Sequence, residues 1–175
     1  ADVLVLADLR GVDSHGVSAN LRINYVPGLQ DGRINPRPRV HVVRETPATA
    51  LVDGDSGLGH LVAYRAMEMA IRKGKEVGAA FITVRNSNHL GMAAYYPMMA
   101  LPHDMIGIAM TNSSPNVVPT FGRERMLGTS PLSLAAPAGQ EPAFVLDMAT
   151  STVAIGKLRM CQRLGVPILP GWVAD

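Results

Sequence analysis

The chain has 175 residues, 47% of them apolar and 17% charged, with a formal net charge of +2. That length suits one compact domain, and the composition excludes a disordered tail. The 16 Lys and Arg are dispersed, apart from a short run of Arg33, Arg37 and Arg39, so no basic stripe marks a nucleic-acid partner. A single cysteine, Cys161, excludes an intramolecular disulfide framework and a cysteine-rich zinc site, and it fits a reducing, cytoplasmic compartment. No run approaches the about 18 uninterrupted apolar residues of a membrane span, and no signal-peptide pattern opens the chain.

In chain order, Val3, Leu6, Ala7 and Leu9 follow helical spacing up to Gly11. There is no initiator Met, so a fragment of a longer chain is expected. Asp13 and Ser14 are placed to cap a second helix that ends at Pro27-Gly28. After a Pro- and Arg-rich connector come β-like runs at 39–44 and 48–53. A glycine loop, Gly54-Asp55-Ser56-Gly57-Leu58-Gly59, then leads into a helix that Gly78 closes. Residues 79–84 read as a short buried strand. Asn86-Ser87-Asn88-His89 reads as a polar turn opening another helix, and 105–110 as a further strand. Runs 132–136 and 143–147 pair around Pro137-Ala138-Gly139, and a last helix covers about 150–164. Strands interleaved with helices predict a mixed α/β domain. The division expected is an N-terminal helical segment over 1–38 and a mixed-sheet domain over 39–175.

The glycine loop has the spacing G-x-x-G-x-G, which is not the dinucleotide fingerprint, and no Walker lysine follows. It is either a tight strand-to-helix turn or an anion cradle on a helix N-terminus. Asp13-Ser14-His15-Gly16 sets an acid, a hydroxyl and an imidazole at a helix start, where the dipole disfavours the imidazolium and suits proton transfer near neutrality. The same histidine could equally be an exposed helix residue. A Ser-His hydrolase is excluded by the lack of a G-x-S-x-G elbow. His89 sits among side-chain amides and a hydroxyl that suit a phosphate or amide group, or that simply hold a turn together. His15, His60, His89 and His103 lack the spacing of a helical metal pair, so no metal is expected, and His41 and His103 read as surface residues. Lys157 is either a solvated helix charge or a group that meets an acidic substrate.

Several of these segments together resemble one family. They are Ala7-Asp8-Leu9-Arg10-Gly11-Val12-Asp13-Ser14-His15-Gly16-Val17, Asn86-Ser87-Asn88-His89-Leu90-Gly91, Leu127-Gly128-Thr129-Ser130-Pro131 and Asp147-Met148-Ala149-Thr150-Ser151. Val153-Ala154-Ile155-Gly156-Lys157 and the closing Gly171-Trp172-Val173-Ala174-Asp175 follow in register. The chain resembles the malate/L-lactate dehydrogenase family, a group outside the Rossmann-fold lactate and malate dehydrogenases that also holds sulfolactate, ureidoglycolate and diketogulonate oxidoreductases.

The resemblance implies a non-Rossmann NAD(P)-binding α/β fold, usually a homodimer. It also implies hydride transfer between NAD or NADP and the 2-position of a small 2-hydroxy or 2-oxo acid. By similarity His15 is the proton donor and Ser14 its relay partner. His89, Leu90, Gly91, Met92 and Ala93 match one cofactor-binding stretch, Asp147, Met148 and Ala149 another, and Thr129 a substrate contact. Several relatives place an arginine four residues after the catalytic histidine, where this chain has Ala19. Arg22 is therefore the expected carboxylate clamp. Lys157 stands where the cyclic-imine branch has a relay aspartate, which weakens that branch as a model. The alternatives from another class are a non-catalytic binding or scaffold domain that keeps the fold, or a truncated inactive piece.

Overall fold

A computed structural model describes residues 1–173; Ala174 and Asp175, the end of the closing motif, lie outside the described residues. Helix α1 (Asp2–Leu9) buries Val3, Leu4 and Ala7, and the chain leaves it through Gly11 at φ +71°. A single 3₁₀ turn, Asp13–His15, follows. The expected second helix is then built in three pieces: α2 (Val17–Asn20), a wide π-helical turn over Leu21–Tyr25, and α3 (Val26–Gln30). Neither Asp13 nor Ser14 caps it. Asp8 does so, its Oδ2 accepting the Val17 N–H at 3.0 Å. The helix also runs through Pro27-Gly28 instead of ending there. Pro27 falls in the first turn of α3, where no N–H is needed, and a Cβ on Gly28 would meet Ile34 Cδ1 at 2.6 Å. This glycine is a packing residue.

The first sheet has the order β1 (His41–Glu45), β2 (Thr49–Gly57), β3 (Phe81–Ser87). β1 and β2 pair antiparallel, with His41 opposite Asp53; β2 and β3 pair parallel, with Thr49 opposite Phe81. Helix α4 (Gly59–Val77) makes the crossover between the parallel pair, as such a pair requires. It buries Val62, Ala66 and Ile71, and Gly78 ends it at φ +90°. The glycine loop is no cradle. β2 runs through it to Gly57, and a Cβ on Gly59 would strike the carbonyl oxygens of Asn88 and His89, so the helix start is sealed by backbone. Nor is β3 buried. It is an edge strand whose Ile82 and Val84 are half-covered while the residues between them face outward.

The second sheet, β4 (Gly107–Met110), β5 (Leu132–Ala136) and β6 (Phe144–Met148), is antiparallel throughout, with β5 central. The fold is thus mixed α/β, but it holds one mixed and one antiparallel sheet. The polar turn after β3 opens no helix: residues 88–94 are irregular, and α5 (Tyr95–Met98) is a single turn beyond them. The last helix, α6 (Ile155–Leu164), starts five residues later than expected. Thr150 lies in a bend ahead of it, where both its N–H (2.9 Å) and its hydroxyl (3.0 Å) donate to the Thr129 carbonyl. The N-terminal helices pack directly on the sheets. Ala7 joins Met92 and Ala94 in one core cluster against Val145, while Leu4, Tyr25 and Ile34 form another against Leu58.

Candidate active site

The 3₁₀ turn holds Ser14 and His15 at the edge of a cleft of about 720 Å³ between the N-terminal helices, the 111–116 loop and α6. Ser14 Oγ lies 2.9 Å from His15 Nδ1. Buried Asn20 fixes the turn from behind: its Nδ2 donates to the Ser14 carbonyl at 3.0 Å, and its Oδ1 accepts from Asn24 Nδ2 at 2.6 Å. From the other side α6 presses on the same turn, because Gly156 leaves no room for a side chain against Ser14. His15 is half-buried, and that burial lowers its pKa below the ordinary histidine value, with the Asp147 carboxylate working in the opposite direction. The expected lowering therefore comes from desolvation and not from a helix dipole, since His15 precedes the helix instead of starting it.

His89 comes from the irregular segment after β3 and stacks on His15, with ring centres 5.5 Å apart and planes 14° from parallel. Its Nδ1 edge is enclosed by Tyr25 Oη at 2.6 Å and the Gly91 N–H at 3.2 Å, while the ring remains open to the cleft. Desolvation of that edge, then the neighbouring His15 and His60, lowers its pKa. His60, from the first turn of α4, meets Tyr25 edge-on at 4.7 Å and is pushed down to about 4 by burial. Two histidines far apart in sequence thus meet Tyr25, and His15 stacks on one of them.

Of the other expected site residues, Thr129 lines the cleft, its N–H donating to Ser113 Oγ at 2.7 Å. The two expected cofactor stretches do meet: the Ala94 N–H, just beyond the first, donates to Asp147 Oδ2 at 2.8 Å. Within them only His89 reaches the cleft. Gly91, Met92 and Ala93 are buried, and neither Leu90 nor Asp147, Met148 and Ala149 are among the cleft-lining residues. Asp147 and Met148 are exposed, whereas Leu90 and Ala149 are partly covered.

Arg22 is exposed and outside the cleft, because the turn that carries it points its inward side at Tyr25. Lys157 is exposed and outside as well; one residue away, Gly156 is the position of α6 that faces Ser14. Three arginines take their place on the lining, Arg33 from the connector and Arg159 and Arg163 one turn apart on α6. Sequence reasoning missed both α6 arginines, although their i, i+4 spacing puts them on one helix face. It also missed Tyr25, whose contact with His89 spans 64 positions. Among the described residues no group of three or more His, Cys, Asp or Glu could hold a metal ion.

A serine–histidine couple thus stands beside a cleft lined by three arginines on a mixed α/β frame. The family follows from comparison with known proteins: the malate/L-lactate dehydrogenase model matches residues 1–175, and the chain belongs to that family. It is 55% identical over all 175 residues to a malate dehydrogenase of Pyrococcus horikoshii, and covers 48% of that protein. It is 45% identical to an L-sulfolactate dehydrogenase of Methanocaldococcus jannaschii, covering all of this chain and 50% of that protein. A solved malate dehydrogenase from Entamoeba histolytica superposes with a TM-score of 0.94 at 38% identity, over 98% of this chain and 47% of that one. The chain spans about half the length of the curated relatives it matches.

Proposed function

We propose that the chain carries the proton-transfer half of an NAD(P)-dependent 2-hydroxy acid dehydrogenase that acts on a small dianionic acid of the malate or sulfolactate kind. The observation that carries this reading is the Ser14–His15 pair, oriented at 2.9 Å and opening onto a cleft whose charged lining includes three arginines and one carboxylate, Asp13. That donor set fits an anionic ligand. With the Ser113, Ser114 and Thr129 hydroxyls and the Asn116 amide, it also fits the amide and phosphate groups of a nicotinamide cofactor. Among the expected cofactor residues, His89 would face it; Leu90, Gly91, Met92, Ala93, Asp147, Met148 and Ala149 line no part of the cleft. Bound there, the cofactor supplies a two-electron hydride acceptor or donor.

The protein's own part is the proton. With its pKa lowered, His15 is neutral near neutrality and takes the hydroxyl proton of a 2-hydroxy acid as the C–O bond becomes a carbonyl; in reduction the imidazolium returns it. Ser14 holds the Nδ1 side, leaving Nε2 to make the transfer. Arg159 and Arg163 bind the substrate's second acidic group, in place of Arg22, the carboxylate clamp expected from the sequence, and of Lys157, whose other reading was a solvated helix charge. Thr129 orients the bound acid. The working unit is proposed as a cytoplasmic homodimer on family resemblance, and light scattering checks the dimer. Among the described residues no helix is long and apolar enough to cross a membrane.

The test measures NADH and NADPH consumption with oxaloacetate, sulfopyruvate and pyruvate. His15→Ala should cost about 10²–10⁴-fold in kcat. Arg159→Ala and Arg163→Ala should raise KM for the dianions more than for pyruvate, with Arg22→Ala near wild type. Wild-type turnover in His15→Ala would overturn the proton role, and a sharp KM increase in Arg22→Ala would return the clamp to that residue. A scaffold domain would show no nicotinamide-linked turnover with any of the three acids.

A further inference from the structure

We propose that Asn24 is a specificity-determining residue: its side-chain oxygen, left free by a bond to Asn20, is the acceptor for an O–H or N–H group of the ligand bound in the cleft. The ligand in this statement rests on the dehydrogenase reading; the direction of the two amides does not.

The direction follows from what each partner can do. A carbonyl only accepts, so Asn20 must turn its Nδ2 group toward the Ser14 carbonyl, 3.0 Å away. Asn20 Oδ1 then faces Asn24, which at 2.6 Å must present its own Nδ2. Turning either amide over would set two oxygens face to face. Asn20 is 4% exposed, and an amide buried that deeply is costly unless it is hydrogen-bonded. Both of its bonds are therefore needed. Asn24 is left with Oδ1, which has no protein partner among the described residues.

The surroundings single that oxygen out. Asn24 is half-buried on the cleft wall, within the π-helical turn that Asn20 precedes, the kind of local irregularity that often marks a functional site. The same stretch gives the wall Ala19, Ile23 and Tyr25. Ala19 and Ile23 offer no side-chain polar atom, and the Tyr25 hydroxyl is engaged by His89 Nδ1. The α6 side of the cleft carries the donors Arg159 and Arg163, so an anionic group goes there. A ligand made of acceptors alone leaves Asn24 Oδ1 opposed by lone pairs, whereas a hydroxyl or amide hydrogen satisfies it. The 2-hydroxyl gives its proton to His15 in the proposed reaction, so the group that meets Asn24 is a different one. It is either the carboxamide or a ribose hydroxyl of the nicotinamide cofactor, or a further hydroxyl on the acid. Because Asn20 also holds the Ser14 carbonyl, a ligand docked on Asn24 is joined through two hydrogen bonds to the turn that carries His15.

NMR of the side-chain amides tests this without turnover, so its failure is distinct from failure of the dehydrogenase reading. Through-hydrogen-bond coupling should join Asn20 Nδ2 to the Ser14 carbonyl and Asn24 Nδ2 to the Asn20 side-chain carbonyl; absence of the second overturns the proposal. NAD+ alone or L-tartrate alone should shift the Asn24 carboxamide signal, and whichever does so names the source of the donor. L-malate, which has no second hydroxyl, should shift it less. A shift with neither NAD+ nor tartrate overturns the acceptor role. Asn24→Leu keeps the bulk and should weaken the shifting ligand about fivefold, more than it weakens malate. Equal weakening of every ligand would show that Asn24 only supports the wall. Asn20→Leu leaves the Asn24 amide free to turn over and should reproduce part of that loss; full affinity in this variant would show that Asn20 does not direct it.

Discussion

Gly156 is where the fold presses most directly on the proposed chemistry, and Gly156→Ala tests that pressure. An alanine Cβ would stand 2.9 Å from both Cβ and the carbonyl oxygen of Ser14 and 3.3 Å from its Cα. Ordinary contact begins at 3.4 Å, so the shortfall is about 0.5 Å (3.4 less 2.9) against atoms on or next to the backbone, which no rotamer change relieves. Either α6 moves out or the Ser14–His15 turn moves in. Overpacking of this kind costs about 1–3 kcal/mol, and it outweighs the about 0.5–1 kcal/mol that alanine gains over glycine in a helix. A catalytic histidine displaced by a few tenths of an ångström should lose roughly tenfold in kcat, given that about 1 Å can cost a hundredfold.

The assay pairs steady-state kinetics with denaturant unfolding. Gly74→Ala in α4 is the control: its nearest neighbour would be Met105 Cε at 3.7 Å, so it should gain about 0.5–1 kcal/mol of stability with kinetics unchanged. A Gly156→Ala protein with wild-type stability and kcat would show that α6 does not set the position of Ser14.

His60 titrates near 4 when folded and near 6.5 when unfolded, so the unfolded chain binds more protons between those values and stability falls as pH drops through them. By urea midpoints, His60→Leu should lose about 1–2 kcal/mol less than the wild type between neutrality and about pH 5, the remaining loss coming from His89 and His15. Asp147→Asn removes the charge that favours the His15 imidazolium while keeping an oxygen for the Ala94 N–H. The acid limb of kcat/KM for hydroxy acid oxidation should therefore move to lower pH, and a limb that stays put would separate Asp147 from His15.

Local pattern made much of the fold legible. Gly11, Gly78 and Gly165 each end a helix at positive φ, and β5 and β6 pair where alternation around a Pro-Ala-Gly turn places them. The failures share one cause, a distant partner that overrides a local signal. Thr150 would open a helix, but Thr129 holds it in a bend. Pro27-Gly28 would end one, but Ile34 needs the space above Gly28. Ser14 and His15 were legible as a local motif. Tyr25 was not, because nothing around it signals a histidine 64 residues away, and the α6 arginines were passed over for Arg22 on proximity in sequence alone.

The long-range links that sequence could not show also explain why so many buried residues belong to this site without touching its cleft. Asp147 is the next-to-last residue of β6, and its carboxylate accepts the Ala94 N–H in the segment that carries His89 and Gly91. The same charge opposes the desolvation of His15. One side chain therefore sets the height of the peptide that orients His89 and the proton affinity of the ring stacked upon it. Met92 and Ala94 lock that segment into the core with Ala7 of α1, so the helix before Ser14 and the strand before Asp147 are braced through a single cluster. In such an arrangement the two stacked imidazoles cannot drift independently, and a core substitution at Met92 is a perturbation of both at once.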